Sequence, residues 1–204
     1  ALLSSVVIVA GLMTYIAYQE RVSSLQTQHI LNAFGGLLQS IDPLLPVVGV
    51  SSQSDSLMEL KDTLDISTGI GDALRAHLYY SLGARYMQLN AFEHAAEVFQ
   101  LSLNLGANDL ASINLAWCIR EGAHLMSEPG TLSDKAKAEY ARACELVYSI
   151  SQRTYPAGDV EKDRIILLAK NRYASILLSG EDESQAKALE ILISLDAELR
   201  NRKD

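Results

Sequence analysis

Proline and glycine are scarce in this chain, with 4 and 12 among 204 residues, so few positions interrupt regular backbone. Runs of β-branched residues are short outside the N-terminal segment, which leaves little from which to build a sheet and points to an all-α fold. Basic residues are also in deficit: 17 Lys and Arg against 25 Asp and Glu give a net charge of -8. A chain so charged cannot neutralise many phosphates, and nucleic acid is excluded as an expected partner. The two cysteines, Cys118 and Cys144, lie too far apart for a CxxC redox or zinc motif. The four histidines, His29, His77, His94 and His124, are scattered without a metal-ligand spacing. There is no HExxH and no GxSxG, and the Ser67–Asp72 stretch, although glycine-bearing, lacks the spacing and the lysine of a phosphate loop. No catalytic residue, cofactor or metal is therefore expected, and the chain reads as a binding protein rather than an enzyme.

What the sequence does have begins at its N-terminus. Leu2 to Tyr18 carries no charged residue, and Gln19, Glu20 and Arg21 end the run. At about 1.5 Å per residue these positions reach roughly 25 Å as a helix, close to the thickness of a bilayer core. Residues 1–19 are accordingly expected to form a transmembrane anchor in contact with the lipid bilayer through residues 2–18. Val7 and Gly11 would lie within it, Gly11 on a face of small residues, and Tyr15 and Tyr18 at its interfacial end. A single-pass protein with its C-terminal domain on the periplasmic or extracytoplasmic side is the corresponding expectation for location.

Residues 20–71 read as a connecting helix followed by loops. Val22, Leu25, Ile30, Leu31, Phe34, Leu37 and Leu38 fall at helical spacing. The segment from Ile41 through Pro43 and Pro46 to Val50 breaks that pattern. Asp55 or Ser56 can cap a short helix through about Leu64, and Gly69 and Gly71 mark the boundary with residues 72–204.

Beyond Asp72 the chain repeats itself. Tyr79, Leu82, Gly83, Tyr86, Ala95 and Phe99 form the pattern Y-x2-L-G-x2-Y-x8-A-x3-F, which predicts helices over about 73–89 and 93–105 joined at Leu89-Asn90-Ala91-Phe92. In this arrangement Gly83 lets the two helices approach, Ala95 is the small residue opposite, and Phe99 fills the space between turns. A second unit begins about 33 residues on with Asn114-Leu115-Ala116-x2-Ile119, is interrupted by a loop from Glu121 to Ser133, and resumes with Ala136, Tyr140 and Ala143. A third runs from near Arg164 through Tyr173, Ala174 and Leu177 to Ala188 and Leu192, with Ser179–Glu183 as an acidic turn. The charged stretch from Glu190 to Asp204 suits a solvated end helix.

The pattern of the first unit resembles the signature of the tetratricopeptide-repeat (TPR) family, with Tyr79 where that family often has Trp. The resemblance is specific there and looser through the later units. It implies a solenoid of about three antiparallel helix pairs, with the first helix of each pair lining a concave groove. His77, Tyr80, Ala84, Met87 and Gln88 of the first unit and Trp117, Arg120 and Glu121 of the second would then face that groove. Some family members hold chaperone tails with a Lys, Asn and Arg clamp. Asn114 and Arg172 stand at two of those positions, but Tyr80, Ala84 and Leu168 stand at others, so that clamp is incomplete.

Together these readings give a membrane-anchored protein-interaction scaffold, an accessory or assembly subunit of a larger membrane complex. A periplasmic adaptor or chaperone that takes peptides in the groove is the alternative. The partners are membrane-protein subunits or peptide segments. Cys118 and Cys144 fall on the two helices of the second unit, either as buried thiols or as a disulfide.

Overall fold

The computed structural model describes residues 50–67, 69–106, 108–125, 133–153, 159–180 and 182–201, together with scattered positions between Arg21 and Gly35 that are helical. Among the described residues there is no strand, and seven helices are delimited: α1 Val50–Ile66, α2 Asp72–Gln88, α3 Phe92–Leu105, α4 Asp109–Leu125, α5 Asp134–Ser151, α6 Val160–Leu177 and α7 Asp182–Asn201. The fold is all-α, as the composition indicates. It divides into two compact units, one ending at Arg75 and the other running from Ala76 to Asp204.

In the first unit α1 buries Leu57, Leu60 and Leu64, one helical face at spacings of three and four, and Ile30 and Ile70 are buried as well. The Thr27 hydroxyl donates to the Gly69 carbonyl at 3.3 Å, and the Arg75 guanidinium donates to the Ser67 carbonyl. Helix α1 begins at Val50, earlier than the expected cap at Asp55 or Ser56. The polar run Ser51–Ser56 sits in the helix itself, because once Pro46 is passed nothing in it forbids helical dihedrals.

In the second unit, α2 and α3 are antiparallel. Residue numbers rise along one helix as they fall along the other: Ala76 meets Ser102, Tyr80 meets Phe99, and Tyr86 meets His94. The turn between them is closed by Asn90 at φ 57°, a left-handed conformation that Asn tolerates better than most side chains. The Ala91 amide donates to the Tyr86 carbonyl at 2.9 Å and the Asn90 amide to the Met87 carbonyl at 3.0 Å, which satisfies the last carbonyls of α2. Tyr79, Leu82, Gly83, Tyr86, Ala95 and Phe99 are all buried. A Cβ placed on Gly83 would lie 2.7–2.8 Å from three atoms of the Phe99 ring, so the close approach is between Gly83 and Phe99.

Each later helix packs on the one before it, and α4 also packs on α6. The repeated small and apolar positions are buried, Leu115, Ala116 and Ile119 on α4, Ala136, Tyr140 and Ala143 on α5, Tyr173, Ala174 and Leu177 on α6, and Ala188 on α7, except Leu192 on α7, which is half-buried. Two caps fix where helices begin. The Ser133 hydroxyl accepts from the Ala136 amide at 3.1 Å, and Asp159 accepts from the Lys162 amide at 3.1 Å. Helix α4 continues to Leu125, so the loop expected from Glu121 starts later: the stretch Glu121–Leu125 contains no proline and extends the helix.

The expectation of a single-pass membrane protein with an extracytoplasmic domain is corrected. Among the described residues no helix is long and apolar enough to cross a membrane. The physical reason is their two-sidedness: α5, for example, buries Ala136, Tyr140, Ala143 and Val147 and leaves Lys135, Lys137, Arg142 and Glu145 exposed, a distribution suited to packing one face on another helix and not to spanning lipid. The anchor expectation for residues 1–19, with Val7, Gly11, Tyr15 and Tyr18, falls outside the described residues.

Candidate functional site

Helices α4 and α6 bring together side chains from distant parts of the chain. Trp117, on α4, is half-buried and lies between two guanidinium groups. Arg172 of α6 stands 4.0 Å from the centre of the indole and Arg120, one turn further along α4, 4.8 Å from it. Both distances allow cation–π attraction, worth about 0.5–2 kcal/mol depending on desolvation. Arg120 is also tied to the end of α6, donating from Nε at 3.1 Å and Nη2 at 2.8 Å to the Ser179 hydroxyl, and it forms an ion pair with Glu121. Because Trp117 pairs with Arg172 and Arg120 with Ser179, residue numbers rise together along α4 and α6, and the two helices run in the same direction.

The two arginines are differently committed. Arg120 has a carboxylate and a hydroxyl to satisfy it. Arg172 has the indole, and its buried Nε donates to no acceptor among the described residues. Desolvation lowers the Arg172 pKa; Glu121 opposes that shift, Arg120 adds to it and Cys118 opposes it. Arginine nonetheless stays cationic at neutral pH, so a half-buried positive charge with spare donors faces the indole.

Cys118 lies beside this group and is buried. Burial pushes its thiol up to about 12, with Glu121 raising it further and Arg172 lowering it. It is therefore a neutral thiol at physiological pH and has no thiolate for nucleophilic work. Cys118 and Cys144 are both free, which resolves the alternatives of thiol and disulfide in favour of thiols. Among the described residues, no group of His, Cys, Asp and Glu could hold a metal ion. The arrangement can accept an anionic or hydrogen-bond-accepting group at Arg172 and a flat or apolar group at the indole.

The groove residues expected from the sequence separate into two sets. Trp117, Arg120 and Glu121 are brought together, each half-buried. On α2, His77 is exposed and its carbonyl accepts from the Ser81 hydroxyl, while Gln88 is exposed and accepts from Arg85 at 2.7 Å. Met87 and Ala84 are half-buried. Tyr80 turns toward Phe99, with ring centres 5.8 Å apart, and so contributes to packing between α2 and α3. Ser179 is the partner that sequence reasoning missed, since it reads there only as part of an acidic turn. Arg172 was marked by its position in the incomplete clamp, and the structure places it instead on the face of Trp117.

Compared with protein-family models, with characterised proteins and with solved structures, the chain matches none.

Proposed function

We propose that this chain is a protein-interaction scaffold of the TPR kind, a subunit that holds a segment of a partner protein within a larger assembly. The observation that carries the reading is the group at Trp117: a half-buried indole covered by Arg172, whose buried Nε has no acceptor among the described residues, on two parallel helices. Tryptophan and arginine are the side chains that most often dominate binding energy at protein interfaces, because they combine large area with directional donors. The antiparallel α2–α3 pair, the parallel α4–α6 pair and the burial of the repeated positions support a solenoid in which these side chains face a common groove. Cys118, as a neutral thiol, and the pairing of Glu121 with Arg120 favour recognition over catalysis.

The test is purification of the chain under mild conditions from its native source, with mass spectrometry of stoichiometric partners, alongside Trp117→Ala and Arg172→Ala. A partner recovered with the native chain and lost from both variants, with helical content retained, is the expected result. A partner retained by both variants would remove the Trp117 face from the function. An adaptor that takes peptides in passing differs in one respect: its isolated domain binds a peptide of the partner as strongly as the whole partner.

A further inference from the structure

A second group of side chains, apart from the Trp117 face, lies along α5 and α7. Tyr140, Cys144, Tyr148 and Gln152 follow one another at intervals of four, so they line one face of α5 and its end. Two cavities open in succession on that face. One, of about 240 Å³, is lined by Tyr140 and Cys144 with Ile176 and Leu177 of α6 and Ser184 of α7. The other, of about 380 Å³, is lined by Tyr148 and Gln152 with Tyr173 of α6 and Lys187 and Ile191 of α7. Helix α6 supplies the buried floor of both through Tyr173, Ile176 and Leu177. From Tyr140 to Gln152 the helix rises roughly 18 Å, the length of five or six extended residues.

Lys187 lines the larger cavity, and its charge is felt at Cys144 in the lining of the smaller one. Its ammonium lies 5.7 Å from the Tyr148 ring and 5.5 Å from the Tyr173 ring, and the two rings are 5.3 Å apart and tilted by 48°. Hydrogen bonding with Tyr173 raises the Lys187 pKa, so Lys187 is cationic at neutral pH. Lys170, at the far end, is already paired with Glu198 at 2.9 Å. Lys187 forms no ion pair with a carboxylate among the described residues. With Lys170 committed to Glu198, Lys187 is the cation that the larger cavity offers to an occupant; the one acid in the two linings, Glu190, forms no ion pair with it among the described residues, so a carboxylate from outside is the group that completes it.

We propose that the trough between α5 and α7 docks an acidic polypeptide segment, with a carboxylate of the segment on Lys187 and its apolar side chains over Tyr148, Tyr173 and Ile191. Two open cavities in line suit a chain and not one compact molecule, and the tyrosine rings hold the ammonium in place before the partner arrives, which lowers the entropy lost on binding. This site stands or falls independently of the Trp117 face.

The experiment uses the whole chain and a fluorescein-labelled decapeptide of Glu, Leu and Ala, with the same peptide carrying Gln for Glu as its neutral counterpart. Anisotropy is measured for the native protein and for Lys187→Glu, Lys187→Arg and Trp117→Ala, each checked for helical content. Alkylation of Cys144 by N-ethylmaleimide is followed with and without peptide. The expected result is binding of the acidic peptide that weakens about tenfold for the neutral peptide and for Lys187→Glu, as removal of a close charge pair requires. Binding is retained by Lys187→Arg and Trp117→Ala, and alkylation of Cys144 slows when peptide is present. The proposal is overturned by absence of binding, by equal binding of the neutral peptide, by indifference to Lys187→Glu, by unprotected Cys144, or by a loss that follows Trp117→Ala instead.

Discussion

Substituting Gly83 by Ala sets two known effects against each other at one atom. In an open helix interior the change stabilises by about 0.8–1 kcal/mol, because glycine loses more backbone freedom on folding. Here the added methyl would meet Cε1, Cδ1 and Cζ of Phe99 at 2.7–2.8 Å, against an optimum of roughly 3.5–4.0 Å for carbon pairs. Phe99 has no exposed surface into which to retreat and is packed against Tyr80, so α2 and α3 must separate or the ring must leave its rotamer. Overpacking of this kind costs about 1–3 kcal/mol, and some of that is offset by helix propensity. With the ring fully buried the cost falls at the upper end of that range, and the net expectation is a loss of about 2 kcal/mol, or roughly 4–8 °C in Tm for a protein of this size. Urea unfolding followed by circular dichroism measures it. Gly83→Ala combined with Phe99→Leu should be less destabilised than the two single effects added, since the smaller side chain relieves the clash. A Gly83→Ala protein more stable than the native one by about 1 kcal/mol, or additive behaviour in the double variant, would refute the close-contact reasoning.

Other consequences are equally open to measurement. Ser133→Ala removes the hydroxyl that caps α5 and should cost about 1 kcal/mol in urea unfolding, with Ser133→Asp largely retaining the native value. Cys118 keeps its proton in the folded state up to about pH 12, whereas its ordinary pKa is 9.0. Between those values the native state binds more protons than the unfolded one, so stability contributed by this thiol falls as pH rises, by at most about 1.4 kcal/mol per pH unit. Unfolding of Cys118→Ala should show a shallower decline over that range, and an identical slope would contradict the assignment. Arg120→Lys cannot reproduce both donations to Ser179 and should lose about 1 kcal/mol of stability, a cost that largely disappears when Ser179 is already Ala in a double-mutant cycle.

How much of this was legible in the sequence depended on distance along the chain. The α2–α3 hairpin was readable because Tyr79, Leu82, Gly83 and Tyr86 share one helical face, and their partners Ala95 and Phe99 lie across a turn only a few residues long. The turn itself was marked by Asn90, a residue suited to the left-handed region. Arg120 and Ser179 are 59 residues apart, and their register depends on how α5 packs between α4 and α6, for which spacing carries no signal. Trp117, Arg120 and Glu121 were selected as groove residues through the family resemblance, but the opposing Arg172 face and the Ser179 latch required three dimensions. The contact of the Tyr80 ring with Phe99 likewise carried no signal in the spacing. The start of α1 was placed too late because Val47–Val50 reads as extended and Ser51–Ser56 as loop, whereas these weak preferences yield to the apolar stripe of Leu57, Leu60 and Leu64. The membrane reading rested on apolar length in residues outside the described part, and none of the described helices can span a bilayer.

Trp117 is the single tryptophan of the chain, so its fluorescence reports on the proposed recognition face without labelling. The most direct measurement is titration of the chain with the partner recovered from its native assembly while the Trp117 emission and the affinity are followed for native protein and Arg172→Ala. The account predicts a saturable change in emission as the partner covers the indole, and affinity weakened about tenfold or more by Arg172→Ala. Binding that leaves the emission unchanged and is indifferent to Arg172 would contradict it.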